Sequence, residues 1–274
     1  MVNAKKACAA GPLILVVFIF ALAAQAQERL RLATTTSVQD SGLMPYLLRH
    51  FEKQCGCKVD VIAVGSGQAL RLGSNGDVDM LLVHDPPSEA KFIRDGFGIN
   101  RRTFMVNDFV ILGPPSDPAR IRGMKDAAKA LSKISRTRSV FISRGDASGT
   151  HQKEKALWAK AQIKPAGSWY LDIGQGMGAV LTMAGEKNGY TISDRATYLT
   201  RTLGLSLEVL VEGDPDLLNS YSAIQVNPAR FPSVRSSLAR RMIDWLCSVE
   251  GQKLIDGYTA GGHKLFRASY SGGK

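Results

Sequence analysis

Apolar residues along this chain fall into short runs that alternate with segments of helical period. Residues 30–33 form the first run, and the hydroxyl cluster Thr34-Thr35-Thr36-Ser37 follows it. Leu43, Met44, Leu47, Leu48 and Phe51 then recur at three- and four-residue spacing, the apolar face of a helix that Asp40-Ser41 would cap. A second strand over 59–64 ends in Gly65-Ser66-Gly67, and 68–72 reads as a helical turn. The turn Asn75-Gly76-Asp77 leads into a strand over 78–83, closed by His84-Asp85-Pro86-Pro87, with a short helix over 89–95. A long apolar strand over 104–112 is interrupted by Asn107-Asp108 and stopped by Gly113-Pro114-Pro115. Beyond it the pattern predicts helices over 125–134, 178–187, 238–246 and 249–258. Strands are predicted at 140–142, 207–211 and 221–226.

Strands alternating with helices predict an α/β protein with largely parallel sheets. The Gly/Pro break near 113 and the return strand near 220 divide it into two lobes. Lobe I comprises 27–110 and 220–274, and lobe II comprises 111–219. In open α/β sheets, ligands lie beyond the carboxyl ends of strands. Three strand ends carry hydroxyl or glycine clusters, at 34–37, 65–67 and 143–150, and all three are expected to face one cleft.

The first 26 residues are read apart from the fold. Lys5 and Lys6 precede a short apolar stretch over 13–24, and Ala24-Gln25-Ala26 fits a signal-peptide cleavage site. The expectation is a secreted, periplasmic protein cleaved near Ala26, with no stable membrane insertion. The remaining 248 residues suffice for one large domain or two modest lobes. The whole chain carries a net charge of +11, spread in small clusters without interleaved aromatics, which argues against nucleic acid as a partner. Such a surface can steer an anion inward. Past residue 26 the cysteines are Cys55, Cys57 and Cys247. Cys55-Gly-Cys57 is read as too tight for an easy mutual bridge, and an oxidising compartment would permit Cys247 to pair with one of them. No histidine stands near them at metal-ligand spacing, so no metal site is expected.

The stretch Ser143-Arg144-Gly145-Asp146-Ala147-Ser148-Gly149-Thr150-His151 is the richest in chemistry. It joins a strand to a helix, so unpaired backbone N–H groups and the helix dipole would favour an anion there. Arg144 adds a planar, permanently charged fork. Taken singly, each hydroxyl reads as a turn or cap residue. Three clusters at three strand–helix junctions, one with an arginine, read as an oxyanion site. A serine hydrolase is the competing reading: Ser148 or Ser66 with His84 or His151, and Asp85 or Asp146 as orienter. No nucleophile-elbow sequence surrounds either serine. Gly174-Gln175-Gly176-Met177-Gly178 lacks the glycine spacing of a dinucleotide loop and reads as the start of a helix lining the cleft.

Taken in serial order, these motifs resemble the periplasmic tungstate-binding proteins of ABC transporters. The residues that carry the resemblance are Thr34-Thr-Thr-Ser37 with Asp40-Ser-Gly-Leu43, Val64-Gly-Ser-Gly-Gln-Ala-Leu70, Asn75-Gly-Asp-Val-Asp79 and Leu82-Val-His-Asp-Pro86. Asn107-Asp-Phe-Val110, Ser143-Arg-Gly-Asp146 with Ser148-Gly-Thr-His151, and Gly174-Gln-Gly-Met-Gly178 complete the set. The resemblance implies a two-lobed type II binding-protein fold, with mixed sheets flanked by helices and two crossing strands between the lobes. It implies capture of tungstate, with molybdate as second ligand, no catalysis and no cofactor. A permease and its ATPase would be the partners of a monomer. By position the ligand shell would be Thr35, Thr36, Ser37, Ser66, Arg144, Ser148, Gly149 and Thr150; many relatives have threonine where this chain has Ser66. The Arg144…Ser148-Gly-Thr150 spacing is also similar to that of periplasmic phosphate-binding proteins, so phosphate is the alternative ligand. Phosphate retains a proton and is met by a carboxylate acceptor, whereas tungstate is fully deprotonated near neutral pH. Asp85 and Asp146 therefore decide between them, and Asp146 is expected to turn away or pair with a basic neighbour.

Overall fold

Strand β1 (Arg29–Thr35) is the first element of a computed structural model that describes residues 27–146, 148–201, 204 and 206–270. The segment read as a signal peptide lies outside the described residues. After β1 come α1 (Thr36–Asp40), α2 (Leu43–Cys55), β2 (Lys58–Val64), α3 (Ser66–Asn75), β3 (Met80–Val83), α4 (Pro86–Arg94) and β4 (Gly98–Gly113). The middle of the chain holds α5 (Ala127–Thr137), β5 (Phe141–Ser143), α6 (Gly149–Lys160), β6 (Tyr170–Asp172) and α7 (Met177–Glu186). It continues with β7 (Thr191–Asp194), α8 (Arg195–Thr200), β8 (Glu208–Val211) and β9 (Leu218–Val226). The last elements are α9 (Ser236–Leu246), α10 (Val249–Gly257) and the short strands β10 (Thr259–Ala260), β11 (His263–Lys264) and β12 (Arg267–Ala268).

One lobe is built on the strand order β2-β1-β3-β9-β4-β12. Its parallel part is β1 with β2 and β3, where Ala33 stands beside Ile62 and Leu81. Strand alternation sends Leu32 to one face, where it meets Met44, Leu47 and Met242, and Ala33 to the other, with Leu81, Phe92 and Ile224. The second lobe is centred on the far half of β4, flanked by antiparallel β7 and β8. Beside β7, β5 pairs in parallel with β6 and bridges to Tyr190. Ile111 faces Leu131, Trp158 and Ile192, while Val110 faces Ile142, Val180 and Leu181. Each sheet is thus covered by helices on both faces.

The sheets are mixed, not largely parallel. Strand β4 pairs antiparallel with β9 over most of its length and with β7 and β8 beyond it. A strand that crosses between lobes and is answered by a returning strand needs no helical crossover, so the two run in opposite directions. Asn107-Asp108 does not interrupt β4 either. It marks the change of partner, from β9 at Asp108↔Leu218 to β7 at Phe109↔Asp194. Partners meet most of the polar groups there: Asn107 Oδ1 accepts from Asn219 Nδ2 at 2.7 Å and Arg195 grips Asp108 at 2.6 and 2.8 Å, while Asn107 Nδ2 is buried without a hydrogen-bond partner among the described residues.

The reading of the cysteines is corrected. Cys55 and Cys57 are bonded to each other, and Cys247 is a free, half-buried thiol. Gly56 between them adopts φ 67°, which reverses the chain at the end of α2 and brings the two Cα atoms to 5.2 Å, within the usual disulfide range.

Candidate functional site

Five strand–helix junctions converge between the lobes: β1–α1, β2–α3, β5–α6, β6–α7 and β7–α8. They enclose a cavity of about 200 Å³. The first lobe contributes Thr36, Ser37, Asp40 and Gly65; the second contributes Arg144, Gly176, Met177, Gly178, Thr197 and Arg201. The N-cap positions of α3 and α7 are Gly65 and Gly176, which line the cavity and have no side chain to pair the first N–H groups of these helices.

Thr36, Ser37 and Arg144 line the cavity. Thr35 stands behind them, its Oγ1 3.1 Å from Ser37 Oγ, and Ser37 Oγ lies 3.5 Å from the hydroxyl of Tyr221 on β9. Ser66, Ser148, Gly149 and Thr150 are buried beside the cavity, not in its wall. Ser148 caps α6 by accepting from His151 N at 3.2 Å, and Ser66 Oγ accepts from His84 N at 3.5 Å. The lobes touch here. A Cβ on Gly65 would stand 3.6 Å from Ser148 Cα, and one on Gly149 only 2.7 Å from the His84 ring. Gly149 is thus a position where two backbones close on each other through a histidine.

Arg144 is held by Asp146, with Nη2 2.6 Å and Nε 3.1 Å from Oδ2. Asp146 Oδ1 accepts from Ser148 N at 3.0 Å. Burial opposes ionisation of Asp146, but the Ser148 hydrogen bonds and the Arg144 charge outweigh it and hold the carboxyl below its usual range. Gly145 makes this loop possible: its φ is 62°, and a Cβ there would collide with the Asp172 carboxylate. Behind Arg144, Ser143 is anchored to buried Glu154, which also accepts from Tyr170 OH at 2.7 Å and Trp158 Nε1 at 3.2 Å; burial pushes the Glu154 carboxyl up.

Asp85 does not face the cavity. It caps α4, accepting from Ser88 N at 3.4 Å. His84 is stacked on Tyr221 at 4.8 Å, with Nδ1 2.9 Å from Asn219 Oδ1, and burial holds its pKa below the usual imidazole value. His151 Nδ1 is engaged by the Asp146 carbonyl. Among the described residues no hydrogen bond joins the hydroxyl of Ser66 or Ser148 to a ring nitrogen of His84 or His151, so no nucleophile–base pair is assembled. Among the described residues there is no group of three or more His, Cys, Asp or Glu placed to hold a metal ion, and no helix is long and apolar enough to cross a membrane.

Sequence reasoning missed Asp40, Thr197 and Arg201 as wall residues, whereas the run Gly174–Gly178 was read as the start of a helix lining the cleft and Gly176–Gly178 do line it. The glycine run before α7 was a usable signal. Nothing local marks Thr197 or Arg201, because α8 carries too few apolar residues to show a helical period.

A two-lobed α/β molecule with uncapped helix N-termini and an arginine at its cleft is a solute-binding protein, and the chain belongs to the PBP superfamily, whose domain matches residues 22–250. It is 46% identical over 229 residues to the tungstate-binding protein TupA of Peptoclostridium acidaminophilum, covering 83% of this chain and 80% of that protein. Two solved structures are similar. The tungstate ABC transporter protein of Geobacter sulfurreducens is 51% identical with a TM-score of 0.78, covering 84% of this chain and 99% of that one. The tungstate-binding protein TupA of Desulfovibrio alaskensis G20 is 44% identical with a TM-score of 0.79, covering 89% and 100%.

Proposed function

We propose that this chain captures tungstate outside the cytoplasmic membrane and delivers it to an ABC-transporter permease. One observation carries the reading. The cavity offers Arg144, the hydroxyls of Thr36 and Ser37 and two uncapped helix N-termini, while Asp40 in its wall is paired with Arg201 and Asp146, in the Arg144 loop, is paired with Arg144. A fully deprotonated oxyanion needs donors and no acceptor. Phosphate, which keeps a proton, would need a free carboxylate. The similarity to proteins named for tungstate supports the same ligand.

In this reading Arg144, Thr36 and Ser37 touch the anion. Thr35, Ser66, Ser148, Gly149 and Thr150 bring the backbone close and hold the hydroxyls in place. Tungsten enters as cargo, not as a cofactor. The change of β4 partner at Asp108 and Phe109 supports lobes that divide near residue 110 and rejoin near 220. The protein is cleaved near Ala26, works in the periplasm as a monomer, and has the permease and its ATPase as partners.

Calorimetry with tungstate, molybdate, sulfate and phosphate tests the proposal. Tungstate is expected to bind tightest and phosphate not at all; phosphate binding tighter than tungstate would overturn it. Arg144→Ala removes a charge-assisted contact and should cost about 1.5–3 kcal/mol of tungstate affinity, roughly 10- to 150-fold.

A further inference from the structure

We propose that Arg201 and Asp40 form a latch across the cleft that sets how long the bound anion stays. The proposal rests on the binding function above and adds to it a determinant of release. Asp40 ends α1, which follows directly from β1 in the first lobe. Arg201 caps the C-terminal end of α8, which follows directly from β7 in the second. Arg201 Nη2 stands 3.0 Å from Asp40 Oδ2, and both residues line the cavity. Beneath the ion pair the two helices share an apolar contact: Val38 of α1 and Ala196 of α8 are fully buried in one cluster, and Leu199 packs against it.

Helix α8 therefore enters from one lobe and buries its apolar side in the other. Opening the cleft by bending β4 and β9 would pull Ala196 from Val38 and Arg201 from Asp40 together. Arg144 differs in this respect. Its partner Asp146 lies two residues away in the same loop, so that pair travels with its lobe whether the cleft is open or closed. Gly178 completes the arrangement. A Cβ there would lie 2.9 Å from Arg201 Nη1, so the glycine leaves room for the guanidinium over the first turn of α7. Arg201 is thus a positioning residue for closure. The side chains of the pair are 46% and 42% exposed, so solvent screens it and its effect is modest.

The test measures release of radiolabelled tungstate from loaded protein, chased with unlabelled tungstate. The proteins compared are the wild type, Asp40→Asn, Arg201→Gln and the double variant. Each single variant should release about two- to fivefold faster, as expected for loss of an exposed pair. The double variant should release no faster than the singles, because all three lack the same interaction. The acceleration should shrink at high salt. Both sites are on the surface, and unchanged circular dichroism would show that folding is retained. Wild-type release from both singles, or strictly additive effects in the double, would overturn the latch. So would weak loading of Arg201→Gln beside normal or slower release from Asp40→Asn, since that would make Arg201 a direct anion contact. Failure of the wild type itself to take up label counts against the binding function, a result separable from wild-type release rates in loaded variants.

Discussion

Asp146 shows how one residue separates related anion chemistries. It lies in the loop that carries Arg144, yet its two oxygens are spent on Arg144 and on Ser148 N. An acceptor so committed offers nothing to the proton of phosphate. Its ionisation also couples to stability. The folded-state pKa lies below the unperturbed value of 3.8, so as pH falls the unfolded chain takes up the proton first. The stabilisation is present above about pH 4 and drains as pH drops through the folded value. Asp146→Asn should therefore cost about 1–2 kcal/mol at neutral pH, and the gap to wild type should narrow as pH falls below the unperturbed carboxyl range, read by denaturant unfolding across pH.

At the level of elements, β4 does the joining. Its 16 residues serve two sheets, and the polar pair Asn107-Asp108 sits where its partners change. Polar residues inside an apolar run normally mark a strand's end. Here they persist because β9 pairs Asn107 Oδ1 through Asn219 and α8 pairs Asp108 through Arg195, which also bonds Glu212 at 2.7 Å. Arg195→Met leaves the half-buried Asp108 unpaired beside the hinge. It should lower stability by about 2 kcal/mol and the melting temperature by about 5 °C, measured by calorimetry of the ligand-free protein. The same helix explains a gap in the sequence reading: α8 is six residues long, below the length at which a period can be seen.

Closure is a property of the whole molecule, and Gly149 is where it is most tightly drawn. The His84 ring from one lobe lies against the first residue of α6 in the other, and the ring cannot retreat because Tyr221 and Asn219 hold it. Gly149→Ala should impose an overpacking cost of about 1–3 kcal/mol on the closed form, weakening tungstate binding by roughly 5- to 150-fold by calorimetry. A serine-hydrolase role for His84 would instead predict ester turnover that disappears in Ser148→Ala. Neither serine nor either imidazole is arranged for it.

The sequence by itself determined the alternation of strands and helices, the two lobes and three of the five junctions at the cleft. These features follow from local rules: side-chain period, turn residues, and hydroxyl or glycine clusters where strands end. Tertiary structure alone decided that Asp40 and Arg201 meet, 161 residues apart, and that Thr36, Ser37 and Arg144 line the cavity while Ser66 and Ser148 stand behind it. It also decided that the crossing strands run antiparallel and that Gly56 folds Cys55 back onto Cys57. Such contacts join distant parts of the chain or depend on a single backbone reversal, and neither leaves a period in the sequence to read.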